Sequence, residues 1–503
     1  MRKALKAVTL MGLAAALIAP AATVKAADMD MGSTKVTIGG QLRERLEWWG
    51  QEAGTGKGAE LGATYRARLN IKAELSDGVT AVFTPQAVGY WGEGGQGLGL
   101  GESTSFTMHE AYMLLANPFG INNVIVKLGR QEVNLGNQRL VGAVGWSQAG
   151  RSLDGILVGY VAGDYGLAGF FYGKLNDEGK QDAWFRPTVD KEPDIDLYVA
   201  TWQGKFKPFG IGGTYELTDI YVNPTSYGAT AGLDSKFLAG INAILSANGK
   251  PTLKTIGATD VNVNTIYGRV TPTFETDFAK IKVNIEGAYQ SGDVDDADFG
   301  GYMFSVGAGA DFDQVAWAPS VFLGYDYYSG DDNPDDNDID AFWSVLPTAH
   351  KWLGHADTVW VNTPFYKFNG GGLLDVAAQM SNFKYDSKSN TVKYANVAGV
   401  KDLYLKLHIK PLSKVALGLD LHYFQAAEDV TIYTYDLNKK TESEKNYGDD
   451  IGWEADFAAK YKYSKNLCLT VGYDYFDPDD AYKAIAGDDK AEHHVWAQAD
   501  LKF

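Results

Sequence analysis

The sequence predicts an all-β protein, a transmembrane antiparallel β-barrel of about 18 strands with short periplasmic turns and long extracellular loops. Three observations predict it. The chain begins with a segment typical of an export signal. Segments of alternating polar and apolar residues then recur along its whole length. Short and long connections alternate between these segments, as in barrels of bacterial outer membranes.

The N-terminal segment has the three parts of a secretory signal peptide. Basic residues at positions 2, 3 and 6 precede an apolar run over residues 7–18, and small residues follow. Val24 and Ala26 occupy the −3 and −1 positions of a cleavage site. A membrane anchor is the competing reading, but the run is shorter than the roughly 20 residues that span hydrocarbon. We therefore predict a signal peptide over residues 1–26 and a barrel over residues 27–503.

Composition excludes several classes of protein. Removing the four basic residues of the signal from a total of 45 leaves 41 against 63 acidic residues, a net charge of −22, so nucleic acid is not an expected partner. No later apolar stretch approaches 18 residues, which excludes a protein that spans the membrane with helices. The single cysteine, Cys468, permits no intrachain disulfide despite export.

The last residues of the chain give the sharpest single signal. Apolar side chains at 495, 497, 499, Leu501 and Phe503 alternate with polar ones up to Lys502. An alternating strand that ends in an aromatic residue is typical of the final strand of an outer-membrane barrel. We therefore expect Leu501 and Phe503 to form a C-terminal assembly signal, recognised by the barrel-assembly machinery of a Gram-negative cell.

The same alternation predicts 18 strands, an even number that places both termini on the periplasmic side. Two long connections stand out, at residues 222–262 and 329–400. The first contains a short helical pattern at 235–245, and the second leaves room for further strand at 371–383. Loops of this length are commonly lids, plugs or binding elements. The predicted strands are 36–49, 63–75, 79–90, 106–116, 124–130, 152–161, 165–175, 194–206, 210–221, 263–273, 280–290, 300–312, 317–328, 401–410, 414–425, 451–463, 467–476 and 492–503.

The first two strands carry arginine pairs on the face that alternation assigns to the lumen. Arg43 and Arg45 lie on the first strand, and Arg66 and Arg68 on the second. Antiparallel pairing brings the two pairs to about the same height, which predicts a cationic region that selects anions. The alternative is that these arginines pair with nearby glutamates and only brace the wall. Glu44 breaks the pattern because alternation directs it to lipid, and we expect a β-bulge to correct it.

Two motifs resemble a known family. The first comprises Gly-Arg-Gln at 129–131, Gln-Arg-Leu at 138–140 and Arg-x-x-Asp-Gly at 151–155. The second comprises Ser-Gly-Asp at 329–331, Pro-x-x-His at 347–350 and Gly-x-x-Asp at 354–357. The chain thereby resembles the alginate-export family of outer-membrane porins. The resemblance implies passage of an anionic polyuronate, and it implies that further residues line or brace the constriction, namely Arg130, Arg139, Arg151 and Asp154.

Acidic loops suggest a second kind of site. Asp331, Asp332, Asp335 and Asp336 lie in one Asp- and Asn-rich loop whose oxygens suit Ca²⁺. Their spacing is not that of an EF-hand, which ends in a bidentate glutamate, and a solvated loop is the competing interpretation. A structural Ca²⁺ is the one cofactor that the sequence suggests.

Catalytic motifs of hydrolases and haem proteins are missing from the sequence. His350, His355 and Asp357 are close enough in sequence for a loop-borne site, but a packed loop is the better interpretation. We therefore expect a non-enzymatic, passive porin for an anionic solute or polysaccharide, in contact with lipid and lipopolysaccharide. The rivals are a general or cation-preferring porin, in which the acidic loops dominate the field, and a cell-surface barrel hydrolase.

Overall fold

The structure is a computed structural model of the 503-residue chain. It describes residues 27–31, 34–50, 60–75, 78–92, 105–176, 195–207, 211–224, 261–294, 297–331, 338–359, 384–386, 391–436, 438–439, 441–486 and 490–503. The predicted signal peptide, the helical pattern at 235–245 and the segment at 371–383 lie outside these residues.

One sheet of 21 strands closes on itself, and three of its members are short additions, which leaves 18 barrel strands. The barrel strands, in chain order, are β1 (Thr34–Trp49), β2 (Glu60–Glu74), β3 (Val79–Tyr90), β4 (Ser105–Ala116), β5 (Val124–Gln131), β6 (Leu153–Val161), β7 (Leu167–Asn176), β8 (Ile195–Phe206), β9 (Gly212–Pro224), β10 (Val261–Glu275), β11 (Lys280–Val294), β12 (Tyr302–Asp311), β13 (Ser320–Tyr328), β14 (Val400–Leu412), β15 (Val415–Gln425), β16 (Asp450–Lys462), β17 (Leu467–Pro478) and β18 (Glu492–Lys502).

Each barrel strand pairs antiparallel with the next, and β1 closes the barrel by pairing with β18 from Gln41↔Lys502 to Trp49↔His494. The predicted strand count and the fold class are therefore confirmed. Large apolar side chains such as Leu42, Leu46 and Ile156 remain exposed on the outer face, where lipid replaces water as the solvent. Within the described residues, no helix is both long enough and apolar enough to cross a membrane.

The register of β1 corrects the expectation for Glu44. Pairing of β1 with β2 and with β18 runs without interruption past Glu44, so no bulge turns this side chain inward. Its carboxylate instead accepts a hydrogen bond from the indole Nε1 of Trp91, at 2.9 Å, just beyond the extracellular end of β3. The outward charge is satisfied at the edge of the barrel.

Several smaller elements lie outside the 18 strands. The short additions are Ala27–Met31 beside β1, Ala297–Phe299 and Asp338–Ile339. A separate four-stranded sheet joins Lys384–Asp386, Thr391–Ala395, Thr431–Asp436 and Thr441–Asn446, so the segment 329–400 is not a simple loop. A helix, α1, spans Asp480–Ala486, and three-residue 3₁₀ turns occur at Pro118–Gly120, Gly163–Tyr165 and Ala349–Lys351.

Two loops fold into the extracellular half of the lumen. We name residues 132–152, between β5 and β6, the crossing loop, and residues 338–359, between β13 and β14, the lid segment. They join each other through backbone hydrogen bonds from Gly142 N to Leu346 O (2.9 Å) and from Leu346 N to Leu140 O (2.7 Å). Val141, Phe342 and Trp343 are at most 2 % exposed and belong to one apolar cluster. This part of the lumen therefore contains a packed core.

Candidate functional site

Four arginine side chains form a ladder on the lumenal face of β1 and β2. Arg43 and Arg66 are direct cross-strand partners, while Arg45 pairs with Thr64 and Arg68 with Gln41. Arg43, Arg45 and Arg66 are 8 %, 3 % and 2 % exposed. The four side chains lie on the lumenal face that alternation assigned to them; Arg43 and Arg66 share one level, and Arg45 and Arg68 lie two residues to either side of it.

The crossing loop lies over the arginine ladder and accepts its hydrogen bonds through successive backbone carbonyls. Arg43 Nη1 donates to Gly145 O at 2.9 Å, and Arg45 Nη2 donates to Trp146 O at 2.7 Å. Arg66 Nη1 and Arg68 Nη2 continue the series along the loop, to Ser147 O at 3.1 Å and Ala149 O at 3.0 Å. The ladder thus holds the loop across the lumen as well as charging the wall.

Carboxylates offset part of this charge. Arg43 lies 3.6 Å from Asp500, Arg45 lies 3.7 Å from Glu47, and Arg68 lies 3.4 Å from Glu132. Among the residues that the structure describes, none places a carboxylate within salt-bridge distance of Arg66. Arg43, Arg45 and Arg68 each have an ion-pair partner, which leaves Arg66 as the guanidinium of the ladder without one in the described part of the chain.

Glu132 begins the crossing loop and contacts two basic side chains. Its Oε1 lies 2.6 Å from His109 Nε2 and 3.4 Å from Arg68 Nη1. Burial alone would raise the pKa of Glu132, but the His109 hydrogen bond and the nearby arginines outweigh burial and lower it. The carboxylate is therefore ionised at neutral pH and fixes the start of the loop.

Trp146 of the crossing loop contacts both the arginine ladder and the lid segment, and the sequence assigned it no role. The Arg45 guanidinium lies 3.5 Å from its ring centroid, and His350 of the lid segment stacks on the ring at 3.9 Å. A cation over an indole face is an attractive contact. Trp146 therefore links the ladder, the crossing loop and the lid segment. The sequence did contain one signal for this role, a single tryptophan within a Gly-rich loop.

The far side of the crossing loop is anchored by Arg139. Its guanidinium forms ion pairs of 2.7 Å with both Glu286 of β11 and Asp326 of β13, and it is 1 % exposed. Burial opposes its charge, but the two carboxylates outweigh burial and raise the pKa of Arg139 well above its usual range. Strand β11 is nine steps from β2 in an 18-stranded barrel, half-way round. The loop therefore spans the lumen from wall to wall.

The comparisons with known proteins agree with this architecture. The profile described as "Alginate export" matches residues 101–363, more than half of the 503 residues, and includes the crossing loop and the described lid segment. The chain belongs to the alginate export family. The resemblance seen in the sequence is confirmed, and the chain is an outer-membrane channel protein. No curated protein matches the chain.

Solved barrels resemble this alginate export family member in fold alone. Acinetobacter baumannii OccAB4 is 10% identical, with a TM-score of 0.51, and the match covers 93% of this chain and 98% of OccAB4. Pseudomonas aeruginosa OccK8 (OprE) is 11% identical, with a TM-score of 0.50 and the same two coverages. Both resemblances extend over nearly the whole barrel.

Arg151 joins the two infolded loops of this alginate export barrel. Its Nη1 donates to Leu346 O at 2.6 Å and to Pro347 O at 3.1 Å in the lid segment, and to Gly142 O at 3.2 Å in the crossing loop. The resemblance implied that Arg139 and Arg151 line or brace the constriction. The structure shows contacts of the bracing kind at both residues.

Arg130 and Asp154 are corrected, because they lie on the outer face of the barrel and not at the constriction. They are cross-strand partners, and Arg130 Nη2 lies 2.6 Å from Asp154 Oδ2. Their side chains are 44% and 51% exposed. Lys127 and Gln131 of the same strand are buried, which fixes Arg130 on the opposite face. The pair is a bidentate ion pair near the extracellular rim.

The wall formed by β14–β18 carries buried carboxylates, several of which face histidines. His422 Nδ1 lies 2.9 Å from Asp402, and His494 Nδ1 lies 2.9 Å from Asp474. In the lid segment, His350 Nδ1 lies 2.9 Å from Asp357. The His350 ring is stacked between Trp146 and His355, as the packed-loop interpretation expects.

Most of the predicted calcium loop lies outside the described residues. Asp332, Asp335 and Asp336 lie outside the described residues, and Asp331 is held through its backbone by Val397 and Asn396. The calcium site stays a prediction.

Proposed function

We propose that the chain is a porin that gives passive, selective diffusion to an anionic solute or a polyuronate-like saccharide. Arg66 carries the proposal, because it is a buried lumenal guanidinium with no carboxylate within salt-bridge distance in the described part of the chain, at the height where the crossing loop narrows the lumen. A guanidinium presents a planar pair of donors to a carboxylate. Arg66 is 2 % exposed, so an acidic sugar that passes the loop would be attracted by this charge across the loop and not by direct contact.

Basic side chains on the periplasmic half of the lumen support the same assignment. The alternation that buries Asp402 and Tyr404 of β14 in the lumen also directs Lys410 there, while Lys406 on the same face is paired with Asp420. On β16, the alternation of Glu454 and Asp456 continues to Lys460 and Lys462. These charges raise the local concentration of anions at the periplasmic entrance.

The proposal includes the route to the membrane. Residues 1–26 would direct export, and the barrel-assembly machinery would insert the chain at Leu501 and Phe503. The exposed apolar band would then contact lipid, and its extracellular edge would contact lipopolysaccharide.

Block of single-channel current by saccharides tests the proposal. A uronic acid trisaccharide should block the open channel more strongly than a neutral trisaccharide of the same length. In Arg66→Gln, block by the acidic sugar should weaken on the order of tenfold, which corresponds to about 1.4 kcal/mol of binding free energy. Arg130→Gln removes the same charge from the outer face and should leave block unchanged. Equal block by both sugars in the wild-type channel would overturn the proposal.

A cation-preferring channel is the second candidate, favoured by the acidic wall of β14–β18. Asp402, Asp420 and Asp474 all face the lumen, and all are at most 7 % exposed. Each of them, however, contacts a histidine or lysine at 2.9 Å. These contacts offset the negative charge of the three aspartates locally. A channel for an anionic solute therefore remains the better-supported assignment.

A further inference from the structure

A group of potential metal ligands lies where the lid segment meets the barrel wall. Asp456 of β16 and Asp474 of β17 are cross-strand partners on the lumenal face and are 3 % and 0 % exposed. His355 of the lid segment lies over them, and its backbone N–H donates to Asp456 Oδ2 at 3.1 Å. One ligand atom from each of the three residues lies within 4.8 Å of the other two.

Each member of this group has a buried polar atom without a hydrogen-bond partner. These atoms are His355 Nδ1, Asp456 Oδ1 and Asp474 Oδ1. The Glu454 carboxyl, two residues before Asp456, lies beside these groups and interacts with the carboxyl of Asp456. Buried polar atoms in folded proteins are nearly always paired, because an unpaired one retains its full desolvation cost. Several such atoms in one place indicate a missing electrophilic partner.

The other oxygen of each carboxylate is already held in position. Asp474 Oδ2 accepts hydrogen bonds from Trp496 Nε1 at 3.1 Å and faces His494 Nδ1 at 2.9 Å. Glu454 Oε1 accepts one from the backbone N–H of Ala356 at 2.8 Å. Contacts of this kind orient the ligands of metal sites, because they fix one oxygen and leave the other free to coordinate.

The imidazole determines the class of cation. His355 contributes an imidazole nitrogen to the group, and imidazole is the commonest metal ligand among protein side chains. Ca²⁺ and Mg²⁺ take oxygen ligands almost exclusively, whereas an imidazole with carboxylates suits Zn²⁺ and its neighbours among the transition metals.

We propose that His355, Asp456 and Asp474 bind one divalent transition-metal cation, with Zn²⁺ as the representative, beside Glu454. The cation would join the lid segment to β16 and β17 by bonds that the protein alone does not supply. None of these residues belongs to the predicted calcium loop or to the arginine ladder. Its test does not depend on which solute the channel passes.

Metal binding to the purified full-length barrel tests the site directly. The protein is stripped with EDTA, and Zn²⁺ is titrated calorimetrically, with Co²⁺ absorption as a second signal of ligand geometry. One metal per chain is expected. His355→Gln should weaken Zn²⁺ binding by on the order of 100-fold or more, since loss of an outer-shell partner alone costs about 10- to 100-fold. His408→Gln, on β14 of the same wall with a 53% exposed side chain, should bind as the wild type does.

Folding is checked for every variant by the heat-modifiable gel migration of a closed barrel. Asp474→Asn removes a second ligand, from strand β17 and not from the lid segment. It should lose both Zn²⁺ binding and the absorption of bound Co²⁺. Absence of stoichiometric binding to the wild-type barrel would overturn the site. The site would also be overturned if His355→Gln bound Zn²⁺ as tightly as the wild type, or if His355→Gln and His408→Gln lost Zn²⁺ affinity equally. In either case the buried carboxyl groups would share protons and not a metal ion.

Discussion

Replacing Arg139 by methionine should release the crossing loop from one wall of the barrel. Arg139 contacts Glu286 and Asp326 at 2.7 Å each, donates to the Tyr328 hydroxyl, and lies 4.0 Å from the Trp352 ring centroid. Methionine fills similar space but removes the charge. Two carboxylates then remain buried without their main counter-charge, and the loop loses its ion-pair anchor on β11 and β13.

The size of the effect follows from the burial of this cluster. Arg139 and Glu286 are 1% and 0% exposed at their side chains, so solvent screens the interaction little. Removing one partner of a buried ion pair costs about 3–5 kcal/mol. At about 1.4 kcal/mol per factor of ten, the ratio of docked to undocked loop should fall roughly 100- to 4000-fold.

Single-channel recording in planar bilayers measures this change. Arg139→Met should give larger and noisier conductance, because the loop moves within the lumen. Arg269→Gln is the matched control, since Arg269 lies 3.9 Å from the same Glu286 and should leave the trace unchanged. A triple variant that also carries Glu286→Gln and Asp326→Asn should regain much of the quiet state, because no buried charge is left unpaired. A folded Arg139→Met channel indistinguishable from wild type would refute the anchoring role.

Two further predictions concern glycine and the C-terminus. Gly354→Ala should undock the lid segment, because φ at Gly354 is +84° and the new Cβ would overlap the Glu454 carboxylate. Gly448→Ala is the control: φ is +76° but the space around it is open, so it should cost only the backbone strain of about 1–2 kcal/mol. Proteolysis of the folded barrel measures both variants. Deleting Phe503 should reduce insertion into the outer membrane without reducing export, because Phe503 continues the β1–β18 pairing through hydrogen bonds to Gly40. Normal insertion of the shortened chain would contradict this role of Phe503.

The barrel itself could be predicted because lipid imposes a period-two pattern on every strand. The same rule placed Arg43 opposite Arg66, as the register shows. It would also have placed Arg130 correctly, since Arg130 shares parity with Val126 and Leu128 on the outer face of β5. The error arose because a motif resemblance, which carries no information about strand faces, was preferred to the alternation.

The infolded loops could not be predicted from local pattern. Arg139 and Glu286 are 147 residues apart, and no periodicity connects a loop to a distant wall. One signal did exist in the strands. Val199, Ile220 and Val263 are apolar lumenal residues at the extracellular ends of β8–β10, and all are at most 1 % exposed. A water-filled lumen would have polar residues there, so apolar residues on both faces indicate a packed interior.

The reversal potential in a KCl gradient tests the anion-selective constriction most directly. Arg66→Glu with Arg68→Glu changes the charge of the ladder by −4, at a depth where the effective dielectric constant is below that of water. The reversal potential of the wild-type channel should have the sign expected for a Cl⁻-selective pore, and in the double variant it should fall to zero or change sign. The effect should be larger at 0.1 M than at 1 M salt, because the Debye length falls from about 10 to about 3 Å. Release of the crossing loop alone would change conductance and leave the sign unchanged. A K⁺-selective wild type, or an unchanged reversal potential in the folded double variant, would contradict the account.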